Sequence, residues 1–345
     1  PASSDVDVYY IWRSRGGWYP IQNLARLTAE LFGSELIITD APPRSRVREL
    51  GWRLRGKSSA GDRCAVLIAT GTPELSNFLE FPGFRDRYSF IVAWIVDSFA
   101  TEDLPPQRVL DHYDLLIQMS PIDQDYYASL VGGRSRYLPF GSDVLRLGGF
   151  EGDRDIDLLR VGRQPPTWND DAASKDDCET AGVSFHGRPP KQKNAAEDME
   201  RLARFYRRSK FTIAHSNLVA PTKGTHPTKE YISARWMDSV SNGTVVAGIH
   251  PRTDPSIEHI LWPDALLDLD GIERASNIEQ LKPHIGAWTA ERARYNYRMA
   301  LERLDWRWRL RDLASWIGIS VPKVDDELAE IEGKIGVLDK NSSAA

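Results

Sequence analysis

The sequence predicts an α/β protein built from two Rossmann-like, doubly wound domains. Three observations lead there. The chain has 345 residues, which suits two domains at about 100–200 residues each. Short apolar runs alternate with stretches of helical periodicity, the pattern of a parallel sheet covered by helices on both faces. The alternation also begins afresh after about residue 150, as in a second domain of the same design.

In chain order, Val6 to Trp12 is the first expected strand, followed by the loop Arg13–Gly17. Ile21 to Phe32 places Leu24, Leu27, Leu31 and Phe32 on one helical face. Glu35–Thr39, Cys64–Ala69, Ser89–Val96, Asp114–Gln118 and Arg136–Phe140 read as further strands. In the second half, strands are expected at Ile156–Gly162, Gly182–His186, Phe211–Ala214 and Thr244–Ile249, with a helix over Glu197–Arg208. Trp288 to Trp316 reads as one long Arg- and Trp-rich helical stretch. Gly162–Asp177, with its Pro-Pro and Asp-Asp pairs, reads as an exposed loop, and Asn341–Ala345 as a frayed tail. The expected domains are 1–148, 149–290 and a C-terminal helical segment 291–345.

Composition narrows the function. Hydrophobic residues make up 41% and charged residues 27%, and the net charge is −5. A protein that grips nucleic acid through its phosphates carries a basic excess, so nucleic acid is not an expected partner. No apolar run approaches the roughly 20 residues of a membrane span. The chain starts Pro-Ala-Ser-Ser and runs straight into an apolar segment, so no signal peptide is expected. Two cysteines, Cys64 and Cys178, point away from a disulfide scaffold and toward a reducing, cytoplasmic setting. The spacing of His186, His215, His226 and His250 matches no zinc motif, so no metal is assigned. Neither a G-x-G-x-x-G fingerprint nor a P-loop is present.

Doubly wound sheets bind ligands outside the carboxyl ends of their strands, so the chemistry is sought in the loops there. The most informative stretch is Thr228 to Gly248. It holds Glu230, seven residues, and Asp238; Asn242-Gly243 then stops the helix and a β-branched strand follows. Ser233 stands where a helix N-cap belongs, and Arg235 lies beside it, the makings of an anion site. A pair of solvated helix charges would show the same carboxylate spacing, and the glycine stop and the two-domain setting argue for the site.

This segment resembles the carboxylate-x7-carboxylate signature of GT-B glycosyltransferases of the retaining "group 1" type. Gly243 falls thirteen residues after Glu230, where that family also ends its helix. Eight positions span about 12 Å even at helical rise, enough to reach both ends of a sugar–diphosphate–ribose unit. Two departures, Asp238 in place of a glutamate and Tyr231-Ile232-Ser233 in place of Gly-Phe-Gly, look like the divergent spore-coat-protein-like branch. The resemblance implies two domains facing a cleft and a C-terminal helix crossing back to the first domain. It implies that Glu230 meets the donor sugar, Asp238 the ribose, and the Ser233 helix start with Arg235 the diphosphate. Val161-Gly162-Arg163 resembles the turn whose arginine neutralises the departing diphosphate; the lysine usual after it is missing, and Lys223, Lys229 or Arg235 could replace it. Gly16-Gly17 resembles a glycine pair near donor phosphate or acceptor, and Leu138-Pro-Phe-Gly-Ser-Asp143 a hinge turn. Asp97, at a strand's carboxyl end, is the candidate to orient or deprotonate the acceptor hydroxyl.

The implied activity is transfer of a sugar from a UDP- or GDP-linked donor to a carbohydrate, lipid-linked or small-molecule acceptor. No cofactor and no metal are expected, and contact with a membrane surface is open. A sugar-nucleotide epimerase, a polyol-phosphate transferase or a non-catalytic sugar-binding protein on the same fold are the alternatives.

Overall fold

The structure is a computed structural model and describes residues 5–12, 18–42, 47, 50–51, 61–81, 84–222 and 225–342. It divides into two compact units, Pro1–Pro139 with Arg307–Glu327, and Phe140–Trp306 with Leu328–Ala345.

The first unit holds a six-stranded sheet: β1 (Val6–Ile11), β2 (Glu35–Thr39), β3 (Arg63–Gly71), β4 (Tyr88–Asp97), β5 (Leu115–Gln118) and β6 (Ser135–Tyr137). The spatial order is β2-β1-β3-β4-β5-β6 and every pairing is parallel. Every residue of β1 is buried, as are the central seven of β3, because helices cover both faces. One face packs Tyr9, Leu67, Ile95 and Leu116 on Leu75 and Phe78 of the helix Pro73–Phe78. The expected face of the helix Tyr19–Phe32, with Leu24, Leu27, Leu31 and Phe32, is buried.

The second unit holds β7 (Ile156–Arg160), β8 (Phe185–His186), β9 (Ser209–Ile213), β10 (Val245–Gly248) and β11 (Leu266–Asp268), in the order β11-β10-β9-β7-β8 and again all parallel. Both sheets thus share the doubly wound order 2-1-3-4-5, extended by one strand in the first. Such a sheet has its topological switch point between its first and third strands, and that is where ligands bind. In the second sheet these strands are β7 and β9.

Three expectations are corrected. The later part of the segment read as the loop Gly162–Asp177 belongs to a helix, Asp171–Thr180, whose N-cap Asp170 accepts from the backbone N–H groups of Ala172 and Ala173. Trp168 ahead of it is fully buried in the core of the second unit. The single long helix expected from Trp288 to Trp316 is two helices, Ala290–Arg303 and Trp306–Ile317, and a third, Pro322–Ser342, follows them. The break falls at Asp305, which pairs with Ser142 in a short parallel bridge and accepts from the backbone N–H of Leu145. The division between the units falls after Pro139, not at 148. Residues 140–148 are built into the second unit: Ser142 N–H donates to the Leu304 carbonyl, and the Ser142 carbonyl accepts from Trp306 N–H.

Candidate functional site

The carboxyl ends of β7 and β9 are stitched together. The side-chain amide of Gln164 donates to the carbonyls of Ile213 (2.7 Å) and Val161 (3.1 Å). Between them the chain turns at Gly162, with φ +68°. Arg235 lies against this turn and donates from Nη1 to the carbonyls of Val161 and Arg163. Arg163 in turn reaches the hydroxyls of Thr222 (2.7 Å) and Thr225 (3.0 Å).

Two further cations stand here that the sequence reading did not single out. Arg160 ends β7 only 1% exposed, bonded to the Asn169 side chain at 2.7 Å and paired with Asp171 at 3.3 Å. Arg188, just beyond β8, points Nη2 at the carbonyl of Gly162. A basic residue at each strand's carboxyl end was the signal that could have found both. Burial pushes Arg235 down to about 10, and the charges of Arg163 and Arg160 add to that while Tyr206 opposes it. Burial also lowers Arg160, with Arg188 adding and Asp171 opposing. Cations that disfavour one another leave a site that an incoming polyanion relieves.

Glu230 is 7% exposed and strapped in place. Its Oε1 accepts from the Ser216 hydroxyl, and its Oε2 from the backbone N–H groups of Arg252 (2.7 Å) and Thr253 (2.9 Å). The strap itself is pinned. Asn217 brackets it by donating to Lys229 and accepting from Tyr231, and Ile232 N–H donates to Asp254. Burial pushes the Glu230 carboxyl up, but the Ser216 hydroxyl and the Thr253 and Arg252 N–H groups outweigh it and hold it below its ordinary value. The Thr253 side chain hydrogen-bonds the same carboxylate, so four protein donors converge on it.

The helix after the strap is Ala234–Ser241. Ser233 occupies the N-cap position, but its side chain makes no capping bond, so the first N–H groups lack the usual side-chain acceptor. Asp238, inside the helix and 7% exposed, accepts at 2.7 Å from the hydroxyl of Ser142, in the Pro-Phe-Gly-Ser-Asp turn. Two motifs the sequence reading kept apart are therefore joined. Gly243 closes the helix in a Schellman arrangement: Gly243 N–H to Val240 and Thr244 N–H to Ser239. Its φ is +75°, and a Cβ there would lie 2.6 Å from Arg154 Nη2 and 2.7 Å from the carbonyl of Ala293. Gly243 also counts among the expected nucleotide-site residues of the sequence; its Cα is packed against protein, and it stops the helix as the Asn-Gly pair predicts. Gly243→Ala is expected to lower folding stability by about 2–4 kcal/mol, beyond the roughly 1 kcal/mol of a glycine-to-alanine change at a C-cap alone. A urea-denaturation midpoint equal to the parent's would contradict this.

Arg154 beneath that turn was missed altogether. Its Nη1 donates to Tyr206 (3.1 Å), Ser209 and the Thr244 hydroxyl, its Nη2 to Asn242 (2.8 Å), and its guanidinium lies 5.2 Å from the Trp288 ring centre. It ties the N-terminal edge of the sheet to the helix end.

The remaining candidates are spread out. Asp97 is the last residue of β4, half-buried in the first unit. Gly16, Gly17 and Lys223 lie outside the described residues. His226 accepts from the backbone N–H groups of Thr228 and Lys229, and His250 faces Asp268 at 2.8 Å. Among the described residues no group of three or more His, Cys, Asp or Glu side chains is arranged to hold a metal ion. No helix among them is long and apolar enough to cross a membrane.

No protein-family model matches the chain, and no curated protein sequence does. Solved structures do match along nearly its full length. Sucrose-phosphate synthase (tll1590) from Thermosynechococcus elongatus superposes with a TM-score of 0.55 at 11% identity, over 91% of this chain and 98% of that one. HepE of Anabaena, crystallised in complex with UDP, gives 0.53 at 10% identity over 91% and 99%. A glycosyltransferase from Rickettsia africae gives 0.53 at 7% identity over 90% and 97%. At such identities the likeness is one of fold. With its two all-parallel α/β units of six and five strands, the chain has the GT-B fold of these glycosyltransferases.

Proposed function

We propose that the chain is a glycosyltransferase that moves a sugar from a UDP- or GDP-linked donor to an acceptor hydroxyl, with retention at the transferred carbon. The observation that carries this is the set of guanidiniums, Arg160, Arg163, Arg188 and Arg235, gathered at the switch point of the second sheet beside an uncapped helix start. Backbone N–H groups at a helix start and arginines together favour phosphate. HepE, of the same fold, has been crystallised with UDP and with UDP-glucose.

In this reading the diphosphate sits over Ser233 and Arg235. The fixed cations stabilise the charge that grows on it as the sugar leaves, without reorganising. That is the work a divalent ion would otherwise do, so the proposal includes activity that survives excess EDTA. Glu230 meets the donor sugar, Asp238 takes the ribose, and Asp97 orients the acceptor, which is a carbohydrate, a lipid-linked sugar or a small molecule.

A thermal-shift screen over UDP, GDP, CDP and dTDP tests the reading. A ligand at a hundred times its dissociation constant adds about 2.7 kcal/mol of stability, so one of the four should raise the midpoint clearly. Arg235→Ala should weaken that nucleotide by about 1.5–3 kcal/mol, the scale of a hydrogen bond to a charged group. If none of the four shifts the midpoint of the parent, the proposed donor class is wrong.

A further inference from the structure

His215 carries a hydrogen-bond donor for which the folded protein supplies no acceptor. It follows β9 directly and is 2% exposed. The backbone N–H of Ile249 donates to its Nδ1 at 3.1 Å. A neutral imidazole has one N–H, so with Nδ1 accepting, the proton sits on Nε2. Burial holds the ring's pKa down to about 4, and the charges of Arg235 and His250 push the same way, so the ring stays neutral at physiological pH. Nε2 is buried and has no hydrogen-bond partner among the described residues. A buried donor left unpaired is costly, which calls for an explanation.

The ring cannot easily turn to find an acceptor. Ala214 N–H is bonded to Ala247, and Ser216 N–H to Ile249, on either side of it. Gly248 approaches so closely that a Cβ there would lie 1.8 Å from the carbonyl of Ala214. The next residue, Ser216, is the one that holds Glu230. Arg235, whose charge acts on the imidazole, donates from Nη1 to the carbonyls of Val161 and Arg163. That same arginine stands in the first turn of the helix Ala234–Ser241, whose start has no side-chain cap. His215 Nε2, the Arg235 guanidinium and the first N–H groups of that helix are all donors. A group that only accepts and carries negative charge satisfies them together.

We propose that the Nε2–H of His215 donates to a diphosphate oxygen of the donor nucleotide, making His215 a binding residue that reads the diphosphate. The proposal rests on the reading of the chain as nucleotide-sugar dependent. Its test uses the nucleoside diphosphate that gives the largest shift in the four-nucleotide screen, together with the matching nucleoside. By isothermal titration, His215→Phe should weaken the diphosphate about tenfold or more and leave the nucleoside unchanged. His215→Gln, which can place an N–H near the same point, should recover most of the loss. A phenylalanine variant that binds the diphosphate like the parent overturns the proposal, and so does a parallel loss of the nucleoside, which marks a packing role. A parent that binds none of the four nucleotides overturns the donor reading instead, so the two failures are distinct. Where the phenylalanine variant does not fold, proton–nitrogen NMR of the histidine rings in the full chain decides. Adding the diphosphate should move the His215 Nε2–H signal and slow its exchange with water. A signal left in place and still exchanging at the same rate rejects the contact.

Discussion

Under the proposed function, Glu230→Ala is expected to lose sugar transfer altogether and, with it, about 2–4 kcal/mol of folding stability. The change strands the Ser216 hydroxyl and the N–H groups of Arg252 and Thr253, all of which end on this carboxylate. Each buried donor left unpaired costs about 1–3 kcal/mol, and water entering the gap recovers part of the sum. Glu230→Gln keeps an oxygen for the two N–H groups and an amide for the Ser216 oxygen, so it should fold nearly as stably while turning over slowly. Activity and stability thus separate along the pair of variants, read by initial rates and by urea unfolding. The pH dependence has a fixed sign. The folded carboxyl titrates below its ordinary value of 4.5. Its contribution is therefore present above that value and is lost as the pH falls through the folded pKa. The parent should weaken more steeply in acid, below about pH 4.5, than Glu230→Gln does. An alanine variant with the parent's urea midpoint would show that the strap stands without its carboxylate.

Why the strap was only half legible follows from distance along the chain. Glu230, Asp238 and Gly243 lie within one local segment, and a helix stop at Asn-Gly is local chemistry: the φ of +75° at Gly243 is what the pair announces. The groups that decide what those carboxylates do are remote. Ser216 lies 14 residues from Glu230, and Ser142 lies 96 from Asp238. Nothing in a local pattern marks a serine as the partner of a buried acid. Arg154 shows the same limit from the other side, since a buried arginine and a surface one read alike in sequence until the fold places Tyr206, Ser209 and Asn242 around it. The strands were legible because parallel strands covered on both faces are near-continuous apolar runs, as in Cys64–Ala69 and Ile91–Val96. The helix Asp171–Thr180 was not, because only Ser174 and Cys178 face inward and the rest is polar. Strand β11, three residues at the sheet edge, carries too short a pattern to register.

Asp238→Asn is expected to stabilise the protein at pH 8 while impairing donor binding. Asp238 is buried, and burial, with the charge of Asp143 adding, pushes its carboxyl up to about 7 from an ordinary 3.8; the Ser142 hydroxyl opposes this without cancelling it. The folded pKa is raised, so the stabilising state is the protonated one. Below the unfolded value both states hold the proton and nothing is lost. As the pH rises from about 4 to 7, the unfolded chain releases its proton and the folded one does not, so stability falls. Each pH unit across that window is worth about 1.4 kcal/mol, which sets a ceiling of about 4 kcal/mol for the cost of the ionised form. Asparagine keeps an oxygen for Ser142, matches the shape and carries no charge. Its gain at pH 8 should be about 2–4 kcal/mol, and its stability between pH 4 and 7 should be flatter than the parent's, measured by urea unfolding at each pH. The proposed function gives that costly charge a use. In the proposed function that use is to accept from two ribose hydroxyls, which only the ionised form does well. The donor KM of the parent should therefore fall as the pH rises through about 7, and the asparagine variant should show a high donor KM at every pH with kcat little changed. Equal stability and an equal KM profile for the two chains would mean that Asp238 neither carries the buried charge nor meets the donor.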